Sequence, residues 1–193
     1  MGQKFYLVRH GETALNADDR LRGLADPELD AVGEIQAAAL GRALARVGAS
    51  VVVSSPLHRA TRTASVIATA AGIDHVVDSG FNDRDYGEMT GERRSDVIDR
   101  WGSIDKAPGV ESVRSVLVRV GPTLDAWADR CTDEADTVIV VMHDAVISPL
   151  LAQIDPNRAA PRVATGSYHV IRRTDGVWSV VLVDQNPDAA DES

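Results

Sequence analysis

The chain has 193 residues, 44% of them hydrophobic, and a formal net charge of -9. This length suits one domain with a sizeable core, so we expect a single domain over residues 1–185, followed by an acidic tail without stable structure at 186–193. The negative charge argues against nucleic acid and acidic membranes as partners, because both attract cationic surfaces. No apolar run approaches the roughly 20 residues of a membrane span and no signal-peptide pattern is present, so we expect a cytoplasmic protein.

Short segments rich in β-branched or apolar residues predict five strands, and longer segments with apolar residues at three- and four-residue spacing predict three helices. The predicted strands are Lys4 to Val8, Val51 to Ser54, Val138 to Met142, Tyr168 to Arg172 and Val177 to Val183. The predicted helices are Gly33 to Val47, Leu57 to Ala71 and Ser112 to Asp129. Helices alternate with the first three strands, which is typical of parallel βαβ units and predicts an α/β fold.

The Asp-Gly pair in "RRTDGVW" (172–178) predicts a hairpin that closes the sheet with an antiparallel edge. The predicted architecture is therefore a three-layer sandwich, with a mostly parallel central sheet and helices on both faces. Residues 80–109 combine poor periodicity with dense charge, so we expect a loop-rich excursion over the sheet edge there.

Reactive side chains follow the first three predicted strands. Arg9 and His10 come directly after the first strand, Arg59 lies just beyond the second, and His143 follows the third. Because the carboxyl ends of parallel strands meet at one edge of the sheet, these side chains should converge on one crevice. Arginine matches phosphate oxygens in pairs, and a neutral imidazole can attack phosphorus, so this set predicts a phosphoryl-binding pocket with a histidine nucleophile.

Other chemistries fit the sequence poorly. A Walker-type phosphate loop requires Gly-Lys-Ser/Thr, and the only two lysines, Lys4 and Lys106, are not in that context. The five histidines lack the spacing of metal ligands, and we interpret His58, His75 and His169 as structural. A single cysteine, Cys131, cannot form an intrachain disulfide and receives no role.

Several motifs together resemble the histidine phosphatase superfamily, which includes the cofactor-dependent phosphoglycerate mutases. The similarity extends in order from Lys4 to about Ile147, and "ATGSYHVI" (164–171) resembles the usual closing strand. The motifs that carry it are "RHGET" (9–13), Asn16, "RLRG" (20–23), "LDAVGEIQA" (29–37), "SSPLHRATRTA" (54–64) and "VVMHDAVI" (140–147).

The resemblance implies a role for each matching residue. His10 would carry the phosphoryl group as a phosphohistidine, while Arg9, Arg59 and His143 hold the phosphoryl oxygens. No metal and no cofactor are implied. The residues that the resemblance assigns to substrate binding are Asn16, Arg22, Gly23, Asp144 and Ala145.

The proton donor of this family is usually a Glu four residues before a Tyr/Phe-Gly glycine. In "NDRDYG" (82–87), Asp83 occupies that position. Asp144 is a rival acid, because it follows His143 as in the His-Asp pair of the acid phosphatase and phytase branch. A simpler interpretation of Asp144 also exists, since an acid in the first turn of a helix gains roughly 0.3 to 1 kcal/mol from the helix dipole.

Three further questions stay open at the level of sequence. Arg22 is either a specificity residue that recognises a second negative group or a surface ion-pair partner, and no acidic neighbour in sequence decides between them. The natural substrate is also open, and a homodimer remains an open oligomeric state.

The preferred function is a metal-independent phosphomonoesterase that acts on a small phosphorylated metabolite. A mutase, which would return the phosphoryl group to the substrate, is the alternative. The short stretch from Gly91 to Gly109 favours the phosphatase, because it leaves room for water. A phosphoprotein phosphatase and a non-catalytic phospholigand-binding domain are weaker hypotheses.

Overall fold

The computed structural model describes residues 2–131, 136–158 and 163–187, and it contains one six-stranded sheet in the order β3-β2-β4-β1-β5-β6. The strands are β1 Gln3–Arg9, β2 Ala49–Ser54, β3 Asp74–Val77, β4 Thr137–Met142, β5 Tyr168–Thr174 and β6 Val177–Gln185. Neighbouring strands among β1 to β4 pair in parallel, whereas β5 pairs antiparallel with both β1 and β6. The predicted mostly parallel sheet with an antiparallel edge is confirmed.

Six α-helices connect these strands within the described residues. They are α1 Ala14–Ala17, α2 Ala31–Leu44, α3 His58–Ala71, α4 Arg94–Trp101, α5 Val113–Arg130 and α6 Asp144–Ile154. Local sequence sets several of their ends. The carboxylate of Asp30 accepts the amide proton of Gly33 at 2.8 Å and caps α2, and Gly72 ends α3 in the left-handed conformation with φ 68°.

Alternate residues of the central strands face opposite layers of helices. In β1, Phe5 and Leu7 pack with residues of α5 and α6, whereas Val8 packs on the other face with residues of α2 and α3. Strand β4 is buried along its whole length, as expected for a strand covered on both faces. The predicted three-layer α/β sandwich is therefore confirmed.

The hairpin between β5 and β6 has the turn that its sequence predicts. Asp175 and Gly176 both have positive φ angles, of 50° and 77°, as a two-residue hairpin turn requires. Strand β3 was not predicted, because its sequence "DHVV" is only four residues long and mostly exposed.

The segment 80–109 is rich in loops, as predicted, but it also contains helix α4. Four of its buried residues, Tyr86, Met89, Val97 and Ala107, form a small core with Leu21. A bridge between Arg20 and Arg93 joins this segment to the chain that follows α1. Helix α4 was not predicted, because the few apolar residues are spaced too irregularly to reveal a helix.

Strand β6 ends at Gln185, next to the predicted acidic tail. Residues 188–193 of that tail lie outside the described residues, so its lack of structure stays a prediction. Within the described stretches, no helix has the length and apolar content needed to cross a membrane.

Candidate active site

The three strands that carry the reactive residues end at the same level of the sheet. Backbone hydrogen bonds run from His10 N to Met142 O at 3.2 Å and from Ser55 N to Val141 O at 3.1 Å. The chain leaves β1 and β2 toward α2 and α3 on one face, whereas it leaves β4 toward α6 on the other. The strand ends therefore border a crevice, which is where ligands bind in open α/β sheets.

His10 is completely buried and its ring is held in one orientation. Nδ1 lies 2.6 Å from the carbonyl oxygen of Gly11, and Nε2 accepts a hydrogen bond from Arg59 Nε at 3.3 Å. Burial, together with the charge of Arg59, lowers the pKa of His10 well below its usual value, so the ring is neutral near pH 7. A carbonyl can only accept, so the single ring proton lies on Nδ1 and the lone pair lies on Nε2.

Arg59, the second residue of α3, is fully buried beside His10. Its guanidinium donates to the carbonyls of Ala25 at 2.7 Å and Gly23 at 2.9 Å, and also to Asp83 Oδ2 at 2.9 Å. The loop 23–25 and Asp83 thus hold the guanidinium group of Arg59 next to the ring of His10. Together with the contact to His10, these contacts occupy four of the five N–H groups of Arg59, so one N–H of Nη1 is left for a phosphate oxygen.

His143 and Arg9 are the second histidine and the second arginine of the site. The rings of His10 and His143 lie 5.1 Å apart between centroids, and neither ring nitrogen of His143 has a hydrogen-bond partner in the described part of the chain. Burial and Arg59 lower the pKa of His143 well below its usual value. Arg9 donates through Nη1 to Val163 O at 2.6 Å, while its Nε has no partner there.

Asp83 is a buried carboxyl group close to Arg59 and His143. Its Oδ2 lies 2.9 Å from Arg59 Nη2 and 3.6 Å from His143 Nδ1, and its Oδ1 accepts from Arg84 N at 2.8 Å. Burial raises the pKa of Asp83 to about 6, although Arg59 lowers it in part. A carboxyl group with this pKa can exist in both protonation states near neutral pH, as a general acid must.

Asp144 has the opposite electrostatic environment. It is the first residue of α6, and its Oδ1 lies 2.9 Å from Arg22 Nη2 and 3.7 Å from Arg9 Nη2. Burial opposes ionisation, but Arg9 and Arg22 outweigh it and hold the pKa of Asp144 well below its usual range. Asp144 is therefore a carboxylate at working pH, and it has no proton to donate.

The same contacts show where Arg22 lies. Its side chain is only 5% exposed, and it donates to Arg20 O at 3.1 Å as well as to Asp144. Arg22 does form an ion pair, but the pair is largely buried. The interpretation that this ion pair lies at the surface is therefore wrong. Sequence could not reveal the acidic partner, which lies on a distant helix.

The remaining predicted substrate-binding residues are Asn16, Gly23 and Ala145. Asn16 Oδ1 accepts from the Thr13 hydroxyl at 2.8 Å, and its Nδ2 has no partner among the described residues. Gly23 has φ 50°, a left-handed conformation that suits glycine. Ala145 follows Asp144 on α6 and packs against the small core of segment 80–109.

Three residues near the site were not assigned from the sequence. Thr63 accepts from Gly11 N at 3.1 Å and so supports the loop that holds His10. Tyr86 is buried, and burial raises its pKa, so its phenol stays protonated. Arg119 binds the backbone of the loop that carries Asp83. Only Tyr86 left a signal, as the aromatic residue of the "NDRDYG" motif.

Across residues 2–131, 136–158 and 163–187, no cluster of three or more His, Cys, Asp or Glu side chains is arranged as a metal site.

A neutral buried histidine between arginines, at the carboxyl end of a parallel sheet, is the arrangement of a phosphoryl-transfer enzyme. The chain belongs to the histidine phosphatase superfamily (branch 1), whose family model matches residues 5–186. It is thus an enzyme of the histidine phosphatase class, as its motifs predicted.

Individual proteins are similar over most of their length. A protein of Citrobacter koseri named "Probable phosphoglycerate mutase GpmB" is 32% identical over 160 residues, which cover 77% of this chain and 73% of that protein. Phosphoglycerate mutase from Bacillus anthracis has the same fold, with a TM-score of 0.88, 22% identity, and coverage of 98% and 96%. A mycobacterial glucosyl-3-phosphoglycerate phosphatase complexed with VO3 gives a TM-score of 0.84, 24% identity, and coverage of 94% and 98%.

Proposed function

We propose that this protein is a metal-independent phosphomonoesterase, which hydrolyses a small phosphorylated metabolite through a phosphohistidine on His10. The observation that carries the proposal is the 2.6 Å contact between His10 Nδ1 and Gly11 O. This contact favours the ring proton on Nδ1 and the lone pair on Nε2, and substrate must displace the 3.3 Å hydrogen bond from Arg59 Nε before Nε2 attacks phosphorus. The imidazolium formed by attack keeps its proton on Nδ1, where the Gly11 carbonyl stabilises the new charge.

In the first step, Nε2 of His10 forms a bond to phosphorus while the bond from phosphorus to the ester oxygen breaks. The leaving oxygen takes a proton from the carboxyl group of Asp83, which becomes a carboxylate. Arg9, Arg59 and the single N–H of neutral His143 supply donors to the phosphoryl oxygens. Such preorganised donors stabilise the charge of the transition state and are commonly the largest single contribution to catalysis.

In the second step, water attacks the phosphorus of the phosphohistidine. The carboxylate of Asp83 takes a proton from this water, and the bond from phosphorus to nitrogen breaks. Inorganic phosphate leaves, and the lone pair returns to His10 Nε2. Asp83 thus acts first as an acid and then as a base, which suits a pKa of about 6.

Rapid-quench labelling tests the covalent step. Phosphorylated substrate should leave an acid-labile, base-stable phosphoryl group on His10, and His10→Ala should remove both the label and turnover of p-nitrophenyl phosphate. His58→Ala is a matched control, because it also removes a histidine, but one whose side chain is 67% exposed. Wild-type turnover by His10→Ala would overturn the mechanism.

Mutase activity is the second candidate, and the curated relative named a probable phosphoglycerate mutase favours it. A mutase would share the first step but return the phosphoryl group to a second oxygen of the bound substrate. Phosphorus NMR with 3-phosphoglycerate distinguishes the two outcomes. Inorganic phosphate as the main product supports the phosphatase, whereas 2-phosphoglycerate without net phosphate release supports the mutase.

A panel of phosphorylated metabolites would define the substrate class. Glucosyl-3-phosphoglycerate belongs in the panel because a protein of the same fold is named for it. A phosphopeptide belongs there as well, to test the phosphoprotein hypothesis, and tight phosphate binding without turnover would favour a binding domain. The cytoplasmic location and the homodimer stay predictions from the sequence.

A further inference from the structure

Arg119, on helix α5, is hydrogen bonded to three backbone carbonyls of the loop that carries Asp83. Its Nη1 donates to Gly80 O at 3.1 Å and to Asn82 O at 2.8 Å, and its Nη2 donates to Asp83 O at 3.2 Å. Nη2 also contacts Glu111 Oε2 at 3.2 Å, which fixes the guanidinium from the other side. One side chain therefore sets the path of the loop up to the backbone of Asp83 itself.

Other residues on the same face of α5 hold the beginning of this loop. Thr123, one turn after Arg119, packs so closely on Gly80 that a Cβ there would lie 2.2 Å from the Thr123 hydroxyl. Trp127, one turn further, donates from Nε1 to Asp78 Oδ2 at 2.8 Å. Residues four apart share one face of a helix, so this face of α5 forms a continuous support for residues 78–83.

The residues after Asp83 are fixed as well. Arg84 N donates to Asp83 Oδ1 at 2.8 Å, so the backbone orients the carboxyl group directly. Asp85 N donates to Glu111 Oε2 at 3.1 Å, and that same carboxylate pairs with Arg119. Arg119 and Glu111 thus hold the loop on both sides of Asp83.

We infer that Arg119 is a positioning residue for proton transfer, which sets the place and direction of the Asp83 carboxyl group relative to the leaving oxygen. The inference rests on the proposed function of Asp83 as the general acid. Arg119 acts through the backbone, because its hydrogen bond to Asp83 reaches the carbonyl oxygen of that residue. Its loss would let the loop relax, and a displacement of about 1 Å at a reacting group can cost on the order of a hundredfold in rate.

A pair of aryl phosphates gives a readout that a purely structural role would not move. Phenyl and p-nitrophenyl phosphate share a ring, but only the more basic phenolate requires a proton as it leaves. Arg119→Met should lower kcat/KM for phenyl phosphate, which reports the phosphorylation step, by about ten- to hundredfold and change kcat/KM for p-nitrophenyl phosphate by about twofold or less.

Three further variants complete the design. Arg119→Lys keeps the charge but cannot span three carbonyls, so it should rescue only part of the loss, and it also serves if Arg119→Met does not fold. Arg114→Met removes an exposed arginine of the same helix and should leave both substrates unaffected. In an Asp83→Asn background, Arg119→Met should add little further loss, because both changes act on one proton transfer.

The outcomes separate this inference from the proposed function. Equal losses with both substrates, or losses that add fully to those of Asp83→Asn, would overturn the positioning role. If Asp83→Asn itself showed no preference between the two substrates, the assignment of the acid would fail, whatever Arg119 does. Selective loss in both single variants, without addition in the double variant, supports both.

Discussion

Arg22 Nη2 lies 2.9 Å from Asp144 Oδ1, and this pair keeps a carboxylate charged beside the phosphoryl pocket. Asp83, on the other side of the pocket, is buried with a pKa raised to about 6. Two carboxyl groups near one histidine therefore have environments that push their pKa values apart. This difference between the two pKa values supports Asp83 as the general acid.

The first prediction concerns which carboxyl group donates the proton. Asp83→Asn should lower kcat/KM for phenyl phosphate, which reports the phosphorylation step, by about a hundredfold or more, and should have a much smaller effect on kcat/KM for p-nitrophenyl phosphate. Asp144→Asn should show no such preference between the two leaving groups. The reverse pattern, with selective loss only in Asp144→Asn, would move the acid to Asp144.

The second prediction is a pH dependence. A general acid works in its protonated form, so kcat/KM for phenyl phosphate should decline as the pH rises through about 6, the pKa of Asp83 in the free enzyme. The decline should be shallow for p-nitrophenyl phosphate. Asp83→Asn should lose this limb of the profile, and its survival in that variant would assign the titration to another group.

The third prediction concerns the buried ion pair. Arg22→Ala leaves Asp144 with only the longer 3.7 Å contact to Arg9, so we expect the free energy of unfolding to fall by about 1 to 3 kcal/mol. The double variant Arg22→Ala/Asp144→Ala should recover part of the loss, as urea unfolding would measure. The exposed pair Arg62–Glu34 is the matched control, and Arg62→Ala should cost about 0 to 1 kcal/mol. Equal costs at both sites would show that burial of the Arg22 pair has little energetic effect.

The fourth prediction is that activity survives exhaustive chelation. Arg9 and Arg59, rather than a bound cation, are placed to balance phosphate charge in the proposed mechanism. Dialysis against EDTA should therefore change kcat by less than about twofold. Complete loss of activity that a single added metal restores would contradict the proposed electrostatics.

The sequence predicted the sheet, the three layers and the positions of Arg9, His10, Arg59 and His143, because strand ends and short motifs are local features. It could not decide between Asp83 and Asp144, since their pKa values depend on burial and on arginines that are distant in sequence. The same limit applied to Arg119. An arginine on a helix looks like a solvated charge until the fold brings a loop against it.

The backbone hydrogen bond from His10 N to Met142 O ties His10, the proposed nucleophile, to the two central strands. Its amide should exchange with deuterium only when the whole sheet unfolds. Asp83, in contrast, sits on a loop held largely by side chains of α5, and such a loop can open while the sheet is intact. On gradual heating, phosphorylation of the enzyme by phenyl phosphate should therefore be lost first, whereas phosphorylation by p-nitrophenyl phosphate should persist until the sheet itself melts.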